Sequence, residues 1–245
     1  MRLQVVTLFP GLVHAIVEYG VVGRAVERDI ISLDCKNPRD FAKDVHRTVD
    51  DRPYGGGPGM VMKYEPAAAA IASARQELPV NSPVICMSPQ GALFDQETAR
   101  RLAKQPGVIL LAGRYEGIDE RLIESVVDEE LSLGDFVLSG GEIAAMAVID
   151  AVTRLLPGVL GDAASAAEDS FMDGLLDHPH YTRPEVIDGR RVPDVLLSGN
   201  HARIAQWRYQ QALGRSFCRR PDLLEKLDLS DKQQLLLDEY LEELR

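Results

Sequence analysis

Three glycine-bearing segments in the first 142 residues carry the groups best suited to bind a ligand. Residues 50–60 join a run of glycines to two aspartates, an arginine and a tyrosine. Residues 113–117 hold a tyrosine and a glutamate between two glycines, and residues 133–142 contain a double glycine before an apolar stretch. Glycine lets the backbone adopt positive φ and approach a bound molecule closely. Together the segments favour a ligand site in which backbone groups make many of the contacts.

Each segment also has an ordinary structural explanation. The run at 55–59 could be a flexible surface loop, residues 113–117 a strand-to-helix turn, and Ser139 a helix N-cap. No Gly-Lys-Ser/Thr follows the run, so it is not a P-loop, and no Gly-x-Gly-x-x-Gly follows the first apolar stretch. These patterns argue against a nucleotide kinase and against a dinucleotide-binding Rossmann enzyme.

Isolated charged and metal-ligating side chains are less informative. Arg154 lies near the end of a predicted helix, where a cation interacts favourably with the helix dipole. Asp169 lies among small polar residues, where a solvated charge is the ordinary interpretation. The histidines form no compact metal motif, because His178 and His180 are too close for the usual helical zinc site. We therefore expect no structural metal.

Alternating strands and helices must position these residues. Apolar runs predict strands at 3–9, 30–35, 84–88 and 108–112, a turn at 89–91 and an extended segment at 131–138. Helices are predicted at 11–28, 66–77, 95–105, 119–126 and 142–156. This alternation predicts an α/β domain with a mainly parallel sheet. Such sheets bind ligands beyond the carboxyl ends of their strands, which here are the loops 88–91, 113–117 and 139–141.

The sequence changes character after residue 158. Residues 161–170 are small and polar, as linkers are, and helices are predicted at 200–213, 221–227 and 230–243. The net charge of −11 by itself disfavours nucleic-acid binding. Residues 178–220, however, carry eight arginines against three acids, or 8 − 3 = +5. This segment could bind an anion, although an unevenly charged surface explains the pattern equally well.

Targeting signals and cysteine spacing indicate the compartment. The N-terminus lacks the apolar stretch and cleavage site of a secretory signal, and no run of about 18 apolar residues predicts a membrane span. Cys35, Cys86 and Cys218 lie far apart and form neither a disulfide framework nor a metal motif. We expect a soluble protein of the reducing cytoplasm.

A series of short motifs spans nearly the whole chain in order. The motifs are HRTVDDRPYGGGPGM (46–60), SPQG (88–91), GRYEGIDER (113–121), GDFVLSGG (134–141), PGVLG (157–161), EDSF (168–171), HYTRP (180–184) and VLLSGNH (195–201). Together they resemble the bacterial tRNA (guanine-N1)-methyltransferases of the TrmD family, in the SPOUT superfamily. Such a series is far more specific than any single glycine loop.

The resemblance implies a fold, an assembly and a cofactor. The fold is expected to be an α/β SPOUT domain at 1–160, with a parallel sheet and a C-terminal trefoil knot, a linker at 161–171 and a small all-helical tRNA-binding domain at 172–245. The protein is expected to be a homodimer with active sites at the interface. S-adenosylmethionine is expected to bind Met87, Ser88, Pro89, Gly113, Tyr115, Glu116, Gly117, Leu133, Gly134, Asp135, Phe136, Val137, Leu138, Gly140 and Gly141.

The resemblance also implies the reaction, which is methylation of N1 of guanine-37, on the 3′ side of the tRNA anticodon. Asp169 matches the general base that takes the N1 proton, and Arg154 matches the cation that stabilises charge on O6. Mg²⁺ is associated with the family, although no ligand cluster in the sequence identifies a site. The expected tRNA contacts are His46, Asp50, Arg52, Gly59, Ser165, His180, Arg183, Asn200, His201 and Arg203.

Other functions remain open on the sequence. An RNA-binding module without enzymatic activity needs the arginine-rich region but neither Asp169 nor Arg154. A SPOUT methyltransferase that acts on ribosomal RNA or on a ribose hydroxyl is the closest alternative. Methyl transfer to purified tRNA, followed by mapping of the modified base, distinguishes these alternatives.

Overall fold

The computed structural model describes residues 1–161 and 169–244. These residues belong to two compact units, of which the first is Met1–Gly161 and the second follows Gly161. Most of the predicted linker at 161–171, including Ser165, lies outside the described residues.

The first unit is built on a five-stranded, fully parallel sheet, as the alternating pattern predicted. Its strands lie in the order β2-β1-β6-β5-β7. Two further short strands, β3 and β4, form a separate antiparallel pair. The strands are β1 (Arg2–Val6), β2 (Ser32–Lys36), β3 (Asp50–Asp51), β4 (Val61–Met62), β5 (Val84–Leu93), β6 (Gly107–Ala112) and β7 (Glu129–Ser132).

Helices cover both faces of the sheet. The helices are α1 (Pro10–His14), α2 (Gly20–Glu27), α3 (Tyr64–Glu77), α4 (Gln96–Ala103), α5 (Glu120–Val126) and α6 (Glu142–Thr153), with 3₁₀ turns at Ala15–Val17 and Pro38–Phe41. Successive side chains of β6 point into the hydrophobic cores on opposite faces of the sheet, because side chains alternate across a strand. Leu110 packs with α2, α4 and α6, whereas Leu111 packs with α3 and α5. Every residue of β6 is buried, as expected of a central parallel strand.

Two predicted boundaries at the carboxyl edge of the sheet are wrong. The turn predicted at 89–91 is instead an irregular part of β5, which shifts register between Met87 and Ala92 and then pairs with β7 again. Gly91 permits this close approach, because a Cβ there would overlap the backbone of Glu130 and Leu131. The extended segment predicted at 131–138 stops after Ser132, because Gly134, with φ of +142°, turns the chain.

In its described residues, 169–244, the second unit contains four helices and one short hairpin. Its helices are α7 (Asp194–Leu197), α8 (His201–Arg219), α9 (Pro221–Leu224) and α10 (Asp231–Glu243), and its hairpin pairs β8 (Val186–Ile187) with β9 (Arg190–Arg191). Buried Leu175, Leu213, Leu236 and Leu237 form its core. The hairpin corrects the expectation of an all-helical domain. Among the described residues, neither unit has a helix with the length and apolarity needed to cross a membrane.

Candidate active site

A cavity of about 440 Å³ lies at the carboxyl ends of β5, β6 and β7. It brings together all the residues predicted to bind the cofactor except Asp135. Those that line it are Met87, Ser88, Pro89, Gly113, Tyr115, Glu116, Gly117, Leu133, Gly134, Phe136, Val137, Leu138, Gly140 and Gly141. Asp135 is exposed and lies in the turn closed by the hydrogen bond from Phe136 N to Gly134 O (2.9 Å), outside the lining.

A buried ion pair fixes one wall of the cavity. Glu142, the first residue of α6, is fully buried, and its carboxylate accepts hydrogen bonds from Thr7 Oγ1 (2.8 Å) and Arg114 Nε (2.9 Å). Arg114 also donates from Nη1 to the carbonyl oxygen of Ser139 (3.1 Å), and its guanidinium lies 4.4 Å from the centre of the Phe9 ring. The pair therefore ties the ends of β1 and β6 to the loop that enters α6.

Close packing against glycines completes this wall. Gly141 N donates to Gly113 O (2.9 Å), and a Cβ at Gly141 would come within 2.8 Å of the Ala112 Cα. A Cβ at Gly140 would overlap the side chain of Arg114. Both glycines are therefore required for the loop to lie flat against the end of β6, where its backbone faces the cavity.

A second loop is held by the segment that follows the glycine run. Met62 N donates to Gly117 O (2.9 Å), Glu116 N donates to Met60 O (2.9 Å), and Asp119 N donates to Met62 O (2.9 Å). Gly59 lies against the Glu116 side chain, with which a Cβ would overlap. Backbone hydrogen bonds therefore join residues 59–62 to residues 116–119 beside the cavity.

Two titratable side chains in the lining stay neutral at ordinary pH. Burial raises the pKa of the Cys86 thiol to about 12, and the nearby carboxylates of Glu130 and Glu120 act in the same direction. Burial also raises the pKa of Tyr115, as does the adjacent Asp50 carboxylate. Cys86 is thus an uncharged apolar lining residue rather than a nucleophile.

The two predicted catalytic residues lie in different units. Arg154 follows the last turn of α6 and is half-buried in the first unit. Asp169 is half-buried in the second unit, where its carbonyl oxygen accepts a hydrogen bond from Met172 N (3.2 Å). Neither residue lines the cavity. Their roles remain predictions from the resemblance.

The residues predicted to contact tRNA are mostly exposed. His46, Arg52 and Gly59 lie exposed in the first unit, and Asp50 is half-buried in β3. The exposed residues of the second unit are His180, Arg183, Asn200, His201 and Arg203. Asn200 also caps α8, because its Oδ1 accepts a hydrogen bond from Arg203 N (3.2 Å). Its side chain therefore has a structural role as well.

The sequence analysis missed Arg114 and Glu142 as a pair. Arg114 lies two residues after Ala112, the last residue of the wholly buried strand β6, so its charge required a partner nearby. The signal was a cation placed next to an apolar run, together with an acid at the first position of an apolar helix. That the two meet depends on tertiary structure, since 28 residues separate them.

Sequence comparisons give a consistent result. Residues 1–226 match the family model described as tRNA (Guanine-1)-methyltransferase TrmD. Three relatives named tRNA (guanine-N(1)-)-methyltransferase align over almost the whole chain. The protein of Marinomonas sp. (strain MWYL1) is 60% identical over 243 residues, 99% of this chain and 97% of that protein. That of Pseudomonas entomophila (strain L48) is 61% identical over the same shares. That of Halorhodospira halophila (strain DSM 244 / SL1) is 60% identical over 244 residues, 100% of this chain and 92% of the relative.

Proposed function

The chain belongs to the TrmD family of tRNA (guanine-1)-methyltransferases, and we propose that it transfers a methyl group from S-adenosylmethionine to N1 of guanine-37 in tRNA. The cavity at the carboxyl ends of β5, β6 and β7 carries this proposal, because it gathers the loops that the resemblance assigns to the cofactor. Its volume of about 440 Å³ suits a small ligand, since such sites usually measure about 300–1,000 Å³.

The lining fits a ligand with a flat aromatic base and a polar ribose and amino-acid portion. Leu133, Val137 and Leu138 supply apolar surface, and the glycine loops supply accessible backbone groups. Gly117, for instance, has no atom within 4 Å of its Cβ position. Residues 87–89, 113–117 and 133–141, without Asp135, hold the cofactor in this proposal. Bound S-adenosylmethionine supplies an electrophilic methyl group on a sulfonium.

The chain must remove a proton from the substrate for the reaction to occur. Guanine N1 carries a proton at neutral pH, so its lone pair is unavailable until a base removes that proton. We assign this general-base role to Asp169. Negative charge then develops on O6, and the guanidinium of Arg154 stabilises it. Holding the guanine in line with the methyl group contributes further acceleration.

A homodimer would bring surfaces of two chains together around this site. Phe136, Val137 and Ile143, in or next to the 133–142 segment, are 54%, 89% and 53% exposed in the single chain. Large apolar side chains clustered at a site are typical of an interface. This exposure supports the proposed dimer with active sites at its interface. A trefoil knot through the cofactor loops is part of the same proposal.

In this proposal the enzyme acts in the cytoplasm, where tRNA is found. The second unit supplies the main contacts with tRNA. Arginines position the phosphate backbone, and side chains near an unstacked base specify it. The exposed His180, Arg183, His201 and Arg203 are the candidates, with Asn200 at the start of α8. His46, Asp50, Arg52 and Gly59 contact tRNA from the first unit, and Ser165 belongs to the same expected set.

No cluster of convergent carboxylates among the described residues identifies a Mg²⁺ site. Mg²⁺ prefers near-octahedral oxygen coordination. In the parts of the chain that the structure describes, the one group of three convergent metal-ligating side chains contains two histidines. We therefore assign no step of the reaction to Mg²⁺.

Methylation of matched tRNA transcripts tests the proposed function. One transcript carries guanine at position 37, and its control carries adenine there in an otherwise identical anticodon loop. We expect radiolabelled methyl transfer to the first transcript only, and a block to primer extension at position 37. Equal labelling of both transcripts, or labelling of ribosomal RNA instead, would contradict the proposal.

A further inference from the structure

We infer that Asp177, His178 and His180 form a binding site for a divalent transition-metal ion of the zinc class. The three residues lie in the second unit, on a segment without regular secondary structure. One ligand atom from each lies within 4.8 Å of the other two. None of the residues lines the cavity at the sheet edge, and the inference does not depend on the proposed function.

The segment geometry removes the objection that the sequence raised. Histidines two residues apart cannot share a helical zinc site, but in a non-helical segment they can lie on the same side of the chain. The rings of His178 and His180 do so, with centroids 4.4 Å apart. The spacing Asp-His-x-His therefore suits a site on an extended segment.

The distances between ligand atoms fit a small ion after little movement. Asp177 Oδ2 lies 2.7 Å from His180 Nε2, and Asp177 Oδ1 lies 3.7 Å from His178 Nε2. Tetrahedral zinc with bonds of about 2.0–2.1 Å holds its ligand atoms about 3.3 Å apart. The two observed distances bracket this value. A cation at the centre replaces the proton that now lies between Asp177 and His180.

The surroundings of His178 prepare one nitrogen for coordination. His178 Nδ1 lies 3.2 Å from the carbonyl oxygen of Pro179. Because a carbonyl oxygen can only accept, Nδ1 is the donor in this contact, which leaves Nε2 as the nitrogen available to a metal ion. Histidines that bind metals almost always donate their other N–H to an oxygen in this way.

Hydrogen bonds and packing anchor the segment at its N-terminal side. Leu175 is buried in the core of the second unit, and Leu176 N donates to Oγ of the buried Ser216 (2.8 Å). Asp177 N donates to Ser170 Oγ (3.0 Å). Two of the three ligand residues, Asp177 and His178, are largely shielded, with side chains 25% and 13% exposed. The cluster is thus held in place before an ion arrives.

The donor set determines the class of ion and leaves one coordination position open. Two imidazoles and one carboxylate are the ligands of open zinc sites and suit Zn²⁺, Co²⁺ or Ni²⁺ rather than Mg²⁺ or Ca²⁺. The His180 side chain is 69% exposed. Water therefore has access to a fourth position, and the bound ion ties Asp177 to His180.

Direct metal titration of the full chain tests the inference. Chelator-treated protein without a histidine tag is titrated with Co²⁺, whose visible d–d absorption reports nitrogen and oxygen coordination, and with Zn²⁺ in a calorimeter. We expect one ion per chain and no displacement by excess Mg²⁺. Absence of both the Co²⁺ absorption and saturable Zn²⁺ binding would overturn the inference.

Matched variants locate the site. His180→Gln and Asp177→Asn should each weaken Zn²⁺ binding by at least about 10-fold, since losing even a residue that only orients a ligand costs about 10- to 100-fold. His14→Gln removes an exposed histidine on α1 and should leave binding unchanged. Metal-free unfolding curves show whether each variant is folded. His180→Gln is informative even if Asp177→Asn is unstable, because His180 is exposed. Zn²⁺ binding by folded His180→Gln as tight as that of the unaltered chain would contradict the assignment.

Discussion

The carboxylate of Glu142 illustrates how one buried charge can shape a binding site. A buried charge is tolerated only when it is paired and hydrogen-bonded. Glu142 meets this requirement through Thr7 and Arg114, which belong to the ends of two other elements. Arg114 in turn holds the Ser139 carbonyl. Arg114, one of the two residues that satisfy this charge, therefore also lines the cavity.

Removal of the Glu142 carboxylate should destabilise the folded protein. We expect Glu142→Ala to lower the free energy of unfolding by about 3 kcal/mol, because Arg114 and Thr7 are left without their buried acceptor. Urea unfolding measures this change, and calorimetry with S-adenosylmethionine should show weaker binding. Arg101→Ala is the control, since the Arg101–Glu129 pair is partly exposed to solvent and should contribute less than about 1 kcal/mol. Equal losses in the two variants would show that the buried pair has no special role.

The proposed general base gives a second prediction at this scale. We expect Asp169→Ala to reduce methyl transfer to guanine-37 by at least about 100-fold, the lower end of the usual contribution of a general base. S-adenosylmethionine binding should be retained, because Asp169 is not part of the cavity lining. Single-turnover methylation and calorimetry measure the two quantities. Near-normal turnover by the variant would rule out the assignment.

At the scale of elements, the cavity depends on how closely β5 and β7 approach each other. Their pairing is interrupted between Met87 and Ala92, and the intervening residues include Ser88 and Pro89 of the lining. Gly91 ends this irregular stretch against the backbone of β7. The irregularity lets one strand both pair within the sheet and contribute a loop to the cavity.

A methyl group at position 91 should disturb both the pairing of β5 with β7 and the loop that β5 contributes to the cavity. We expect Gly91→Ala to destabilise the protein by about 1–3 kcal/mol, because the backbone of Glu130 and Leu131 must move away. Cofactor binding should weaken at the same time. Gly11→Ala is the matched control, since no atom lies within 4 Å of its Cβ position in α1, and it should be neutral or stabilising by about 0.4–1 kcal/mol. Thermal unfolding of both variants measures the difference, and unchanged stability of Gly91→Ala would contradict the prediction.

The sequence predicted elements better than their ends. The parallel sheet followed from apolar runs alternating with helices. The helix predicted at 95–105 starts correctly, because Asp95 caps α4 and accepts from Thr98 N (2.8 Å). The path through 88–91 could not be predicted, because Gly91 and Pro89 look like turn residues until β7 is placed beside them. Likewise, the hairpin at 186–191 is too short to show a strand pattern.

For the candidate site, local pattern and resemblance contributed different parts. The rule that ligands bind at the carboxyl ends of parallel strands identified the three loops, and the cavity joins them. Asp169, by contrast, has no local signal that separates it from a solvated acid. Its role rests on the motif EDSF, and no pattern of hydrophobicity or spacing could replace that resemblance.

On the scale of the whole molecule, charge is divided unevenly along the chain. The net charge is −11, yet residues 178–220 carry a net +5. An overall acidic protein repels RNA at long range, so binding must depend on the local arginine surface. Added salt screens both effects, but contacts with phosphate release counterions and dominate the salt dependence of affinity.

This division predicts how tRNA affinity responds to salt. We expect affinity to fall steadily between low and physiological salt, with a slope of log K against log salt of about −0.7 to −0.9 for each phosphate contact. Arg203→Gln should reduce the magnitude of that slope by about one contact. Lys104→Gln, an exposed change in the first unit, is the control and should leave it unaltered. Filter binding at several salt concentrations measures the slope, and a slope that does not differ between the two variants would refute the proposed contact.

The register of the sheet has a consequence for biosynthesis. Strand β1 lies between β2 and β6, and Arg2 pairs with Gly107. Strand β1 therefore lacks one of its neighbours until more than a hundred further residues have been synthesised after it. At about 5–20 residues per second, this interval lasts roughly 5–20 s. During that time one edge of β1 has unpaired backbone groups, which makes the nascent chain a target for chaperones and a starting point for aggregation.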